Sequence, residues 1–319
     1  MPIYYEGRFD FEEDLLFQPA VLGSVSAVAV GGVKADVLLP SAPTTPGAVG
    51  LAGGELQPPP SATWKYPTSP GLRVADWGLV MQRLPGDVVG VCEVWAAVFR
   101  LAVEPGQEER VTAFAEALVP WFSLLCAWLG AGTGQNLTGV RTRRHSSPPI
   151  HLVTTGPDGK PHYAPVVARV TGVMPDALAA ITTEKWRRAL AQASSDCPLP
   201  VEHQLLTEAQ AAIRRGATRE SVIAAGSAAE VALNAAIRAR LRSKNEDLVI
   251  HSLLKGKTLG RIEQVAKLLE IDYPRDLTSK PTEVRNGAVH RGEMPSRAQA
   301  VEALRLASEV VDRHSPLPW

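Results

Sequence analysis

The chain has 319 residues, 45% hydrophobic and 21% charged, with 33 basic residues balancing 33 acidic ones. That length favours two domains over one, and that apolar share is ordinary for a protein that buries a core. A formal net charge of zero excludes a global field that steers nucleic acid, so any RNA site has to be a local patch. The three cysteines, Cys92, Cys126 and Cys197, form no CxxC pair and no Cys/His cluster. That spacing suits a reducing cytoplasm and argues against structural zinc or any other metal site. The N-terminus has no basic stretch followed by an apolar core, so no signal peptide is expected.

The first 172 residues read as a mixed α+β domain. Val25–Val30 and Val33–Leu39 flank Gly31-Gly32, which predicts a hairpin closed by a two-residue turn. From about 40 to 70 the composition turns to Pro, Gly, Ser and Thr, including Pro58-Pro59-Pro60, which predicts a long loop. Leu72–Leu84 and Val88–Val103 read as strands joined at Pro85-Gly86-Asp87. Glu108–Leu129 carries Val111, Phe114, Ala115, Leu118, Phe122, Leu125 and Leu129 at helical spacing. Its apolar run Ala117–Ala131 is broken by Pro120 and is short for a membrane span, so a buried helix is expected and no membrane. Ile150–Thr155 and His162–Val170 predict a further hairpin. Arg141, Arg143, Arg144 and His145 read as a solvated basic loop, with a phosphate contact as the alternative.

Asp176–Ala193 predicts a linking helix within a 173–200 connector, ended at Cys197-Pro198-Leu199-Pro200. Residues 201–319 read as an all-α bundle. Val201–Arg215 is one helix, with Gly216 at its end. Thr218 is the expected N-cap of a long helix reaching Arg242, with an inward stripe of Val222, Ile223, Gly226, Ala229, Leu233, Ala236, Ile237 and Leu241. Asn245–Lys257 is a polar connection. Thr258–Glu270 and Leu277–Arg291 are further helices, the second stopping at Gly292. Ser296 and Gln299 form a capping-box pattern for a last helix, Arg297 to about Arg313, before a loose tail from Ser315.

One chemical motif stands out, Arg285-Asn286-Gly287-Ala288-Val289-His290. Arg-x4-His alone is a weak signal in a chain with 24 Arg and 7 His. Asn directly after the Arg makes it more telling, because the chain has only 4 Asn. Histidine is the side chain suited to proton transfer near neutral pH, so His290 can act as base or acid. Arginine is a fixed cation with a planar fork that fits phosphate, so Arg285 would hold the scissile group. Asn286 lies four residues before His290 on one helix face. Arg285 lies five residues before it, about 140° round an ideal α-helix, so the two need help to converge. The bland alternative is that Arg285 pairs with Glu283 or an acid on a neighbouring helix, and that His290 and Gly292 merely end a helix.

A helical bundle with Arg-Asn-x3-His on a late helix resembles the HEPN superfamily, over about Val201 to His314. The run Arg219–Glu230 is similar to the second helix of many bacterial members. The resemblance implies a metal-independent endoribonuclease that uses no cofactor, leaves 2′,3′-cyclic phosphate ends and has Arg285, Asn286 and His290 as its site. It also implies a homodimer pairing two motifs through the bundle, RNA such as tRNA or mRNA as substrate, and a toxin or phage-defence role with an antitoxin or regulatory partner in a bacterial cytoplasm. The N-terminal domain would sense a trigger or restrain the nuclease. Other members are non-catalytic, so a module binding RNA, a nucleotide or a protein partner is the alternative, and a bundle that only dimerises is the third. Glu230 reads equally as a residue that sets up the motif and as half of a structural ion pair. Lys244, Lys255, Lys257 and Arg261 read first as a solvated connection and second as RNA contacts, and Arg291 is a further candidate contact.

Overall fold

The computed structural model describes residues 3–42, 56–60, 77–81, 90–107, 109–135, 151–155, 161–165, 180–242, 259–277 and 282–318. A small antiparallel sheet occupies the N-terminal part, and the C-terminal part is mostly helical.

The sheet is built around β5, Val91–Val103. Along one side runs β1, Ile3–Phe17, in register from Ile3 opposite Val103 to Phe17 opposite Cys92, with an irregularity between Asp10 and Leu15. The other side of β5 is shared by β3, Val33–Leu38, and β4, Gly78–Met81, which pair with its two halves. β2, Val25–Val30, completes the sheet by pairing with β3. The β2–β3 turn has Gly31 and Gly32 at φ of 55° and 75°, the left-handed pair that a type I′ hairpin turn needs. A Cβ on Gly31 would also lie 2.6 Å from that of Ala117, so the turn packs tightly on the helix above.

That helix is α1, Glu109–Thr133. Its buried face carries Phe114, Trp121, Phe122, Leu125, Trp128 and Leu129, while Pro120 sits on the exposed side. Trp121 and Trp128 are therefore central to the face, and Ala115 of the expected stripe is exposed. Phe9 and Phe11 of β1 and Phe99 of β5 meet this face. Phe9 lies edge-on to Phe122 at 5.1 Å, Phe11 stacks on Phe122 at 5.0 Å, and Phe99 lies edge-on to Trp121 at 5.8 Å. Such pairs add about 0.5–1.5 kcal/mol each beyond the area they bury. A separate hairpin joins β6, His151–Thr155, to β7, Pro161–Pro165.

The linking segment is shorter as a helix than its pattern suggests. α2 spans Thr183–Ser194, capped by the Thr182 hydroxyl accepting from the Lys185 N–H. Ile181 ahead of it is extended: its N–H donates to Leu16 O, and its carbonyl accepts from the Gln18 N–H. The expected start at Asp176 lies outside the described residues. α2 packs into the sheet's own core, with Trp186 edge-on to Phe17 at 5.2 Å.

The helical part is organised on α4, Thr218–Arg242, flanked by α3, Val201–Arg214, and α7, Arg297–His314. Thr218 is the first helical residue of α4 rather than its cap. Ala225, Ala228, Ala229 and Ala232 are fully buried, which allows neighbouring helices to approach closely. α5, Leu259–Leu268, ends at Glu270, whose φ of 56° stops the helix. Ser296 and Gln299 make the expected capping box on α7. α1 and α4 are both long and apolar enough to cross a membrane by length and composition, yet α1 buries a face in the core of the sheet and α4 in the cores of the bundle.

Contacts between described residues tie the two parts together. The Trp128 indole donates to Cys197 O at 2.8 Å, Arg214 donates to Gly134 O at 2.6 Å, and Leu317 packs on the core of the sheet. The tail is thus anchored rather than loose: Ser315 O meets His203 Nε2 at 2.7 Å, and its hydroxyl donates to Glu202.

Candidate functional site

The motif lies on a helical stretch that changes from α to π within it. Arg275–Leu277 is a 3-10 turn, α6 covers only Glu283–Asn286, and Gly287–Arg291 is a π turn closed by the Gly292 N–H on Gly287 O. Gly292 at φ 68° then ends it, as the sequence predicts. A π turn closes on the fifth residue instead of the fourth, so residues five apart come nearer to one face than in an α-helix. Such turns recur at functional sites. The Arg219 guanidinium holds the turn against the start of α4 by donating from Nε to Ala288 O at 2.9 Å.

Arg285 lies across α4. Its NH2 donates to Glu230 Oε2 at 3.2 Å, with the two side chains 18% and 25% exposed. Its stem crosses Gly226, where a Cβ would sit 2.4 Å from Arg285 Cδ. Its Nε is buried and has no partner among the described residues. Burial pushes the Glu230 carboxyl above the ordinary carboxylate range, and the neighbouring Arg285 charge pulls it part of the way back. One turn further along α4, the Asn234 side-chain oxygen is also buried without a partner among the described residues.

Asn286 is half-buried and His290 is exposed. His290 makes no hydrogen bond to a described residue, and none joins it to Arg285. Arg291 pairs with Glu293, and this pair lies over Gly287, where a Cβ would meet Glu293 Oε2 at 2.3 Å. Val289 and Met294 expose apolar surface beside the motif, at 40% and 73%.

The structure therefore brings Arg285 and Glu230 together and leaves His290 at the surface of the same short segment. Arg261 lies on the exposed side of α5 with its guanidinium on Gln264. Lys244, Lys255, Lys257 and the Arg141–His145 cluster lie outside the described residues. Sequence reasoning missed Gly226 as part of the site and took it for one more small core residue. Its signal was a lone glycine four residues before Glu230 in an alanine-rich helix.

Glu263 is a second buried polar feature. It is 1% exposed, accepts from the Thr282 hydroxyl at 2.7 Å and braces the segment that leads into α6. No group of three or more His, Cys, Asp or Glu among the described residues is arranged to hold a metal ion. Compared with family models, curated proteins and solved structures, the chain matches none.

Proposed function

We propose that this protein is a metal-independent endoribonuclease of HEPN type, acting through Arg285, Asn286 and His290 in the bacterial cytoplasm. The observation that carries the reading is the π turn set inside the Arg-Asn-x3-His run. A π turn brings positions five apart nearer to one face than an α-helix does, which favours Arg285 and His290 acting on one phosphate. In the reaction the 2′-hydroxyl oxygen attacks the adjacent phosphorus and passes its proton to a base. The bond from phosphorus to the 5′-oxygen breaks, and that oxygen takes a proton from an acid. His290 serves one of these proton transfers. Arg285 stabilises the charge on the phosphorane, and Asn286 orients the phosphate or the ring. One exposed imidazole per motif leaves the other transfer open, and a second copy docked through the bundle supplies it. The apolar Val289 and Met294 beside the motif suit such contact. The sheet domain then senses a trigger, and toxin or phage-defence activity with a regulatory partner follows from the HEPN resemblance alone.

A second reading, a non-catalytic module binding RNA, a nucleotide or a protein, draws on a different observation. Glu230 already neutralises Arg285, and no hydrogen bond draws His290 to it. The test is RNA cleavage by the full chain in EDTA, comparing wild type with Arg285→Ala and His290→Ala. Cleavage by wild type alone, with both variants folded, supports the nuclease. Binding of RNA without cleavage supports the module, and equal cleavage by all three removes the motif from the mechanism.

A further inference from the structure

Alanine at position 226 would be the better helix former, and its neighbours Ala224, Ala225, Ala228 and Ala229 follow that preference. The backbone at Gly226 does not require glycine, since its φ lies outside the left-handed region. The space does: a Cβ there would lie 2.4 Å from Arg285 Cδ, 3.1 Å from Nε and 3.4 Å from Cγ. Four residues on, at the spacing that puts side chains on one helix face, Glu230 takes the Arg285 NH2 at 3.2 Å. We infer that Gly226 and Glu230 together form a seat on α4 that fixes the Arg285 guanidinium for a phosphate, so that both are positioning residues of the proposed cleavage reaction.

The inference rests on the nuclease reading and names what that reading needs. An arginine is useful in a transition state to the extent that its orientation is set before substrate arrives. Here the stem is pinned in the notch of Gly226, Nε is pressed into the protein, and one NH2 hydrogen is committed to Glu230. The edge formed by NH1 and the second NH2 hydrogen remains, and such an edge fits two phosphate oxygens. Arg219 holds the π turn to the same helix through Ala288 O, so α4 sets both the cation and the segment that carries His290.

The test is steady-state cleavage of a fluorescently labelled synthetic single-stranded RNA by the full chain in EDTA, with circular dichroism to confirm folding. Gly226→Ala raises helix propensity and displaces Arg285. Misplacing a catalytic group by about 1 Å costs on the order of a hundredfold in rate, so kcat is expected to fall by about that factor with KM changed far less. In an Arg285→Ala background, read by urea denaturation because that variant is expected not to cleave, Gly226→Ala should cause no loss of stability, since the clash partner is gone. Glu230→Gln keeps an acceptor of the same shape and is expected to retain a larger share of kcat than Glu230→Ala. The Arg285 Nε–H proton, followed by NMR, should be protected from exchange in wild type and exposed in Gly226→Ala. Wild-type cleavage with Gly226→Ala equally fast overturns the seat alone. So does a Gly226→Ala loss of stability that persists without Arg285. An inert wild type overturns the nuclease reading, and the seat's role in catalysis falls with it.

Discussion

Arg285→Ala should destabilise the helical part in a pH-dependent way. An exposed ion pair contributes about 0–1 kcal/mol, whereas breaking a fully buried one costs about 3–5 kcal/mol. With its side chains 18% and 25% exposed, the Arg285–Glu230 pair falls between these limits, so a loss of about 1–3 kcal/mol is expected near pH 8. The sign with pH follows from Glu230. Burial raises its pKa in the folded state, and Arg285 is what holds that rise back. Without Arg285 the folded carboxyl is raised further, so the penalty for carrying its charge is present at high pH. That penalty fades as pH falls through the raised folded value towards the ordinary 4.5. Urea denaturation followed by far-UV circular dichroism should therefore show the difference between wild type and Arg285→Ala shrinking from pH 8 to pH 4.5. The double variant Arg285→Ala, Glu230→Ala should be less destabilised at pH 8 than the sum of the single variants. A loss independent of pH, or strict additivity, would refute the claim that the pair governs this region.

Three further outcomes follow from the fold. Leu233→Ala on α4 empties a fully buried site and should cost about 2–5 kcal/mol in urea denaturation; a loss below 1 kcal/mol would mean that α4 is not central to the bundle. Ser296→Ala removes the capping-box hydroxyl of α7 and should cost about 1 kcal/mol, read as a lower melting temperature. Burial pushes the Cys92 thiol up to about 11, so alkylation at pH 8 followed by mass spectrometry should label half-buried Cys197 well before Cys92 or Cys126.

Much of the local structure was legible in the sequence because its signals are short-range. Gly31-Gly32 between alternating strands, the Ser296–Gln299 box and the Gly216 and Gly292 stops each depend on a few neighbouring residues, and each lies where the pattern puts it. β1 was hidden because Glu6, Arg8, Asp10, Glu12, Glu13 and Asp14 mask the alternation of Tyr5, Phe9 and Phe11. Across the β1–β5 ladder Glu6 faces Arg100 and pairs with it. Ile181 sits in a sequence that suits a helix, yet it pairs with β1, a contact between residues far apart in the chain. The tail reads as loose for the same reason, since its partners Glu202 and His203 lie over a hundred positions away.

At the site, the residue types were readable and the geometry was not. Periodicity predicts an α-helix through His290, but the chain widens to a π turn at Gly287, where the Arg291–Glu293 pair folds back over the missing side chain. The partner of Arg285 was foreseeable only as an acid on its own or a neighbouring helix. Which acid, and the role of Gly226, depend on how α6 crosses α4.

The most direct test of the cleavage claim is analysis of the ends left on RNA by the wild-type chain in EDTA, with a matched substrate whose nucleotide 5′ of the cut carries a 2′-deoxy sugar. Wild type should leave 2′,3′-cyclic phosphate and 5′-hydroxyl ends on the RNA and make no cut at the deoxy position. Ends bearing a 3′-hydroxyl and a 5′-phosphate, cleavage of the deoxy substrate, or no cleavage of RNA would contradict the claim.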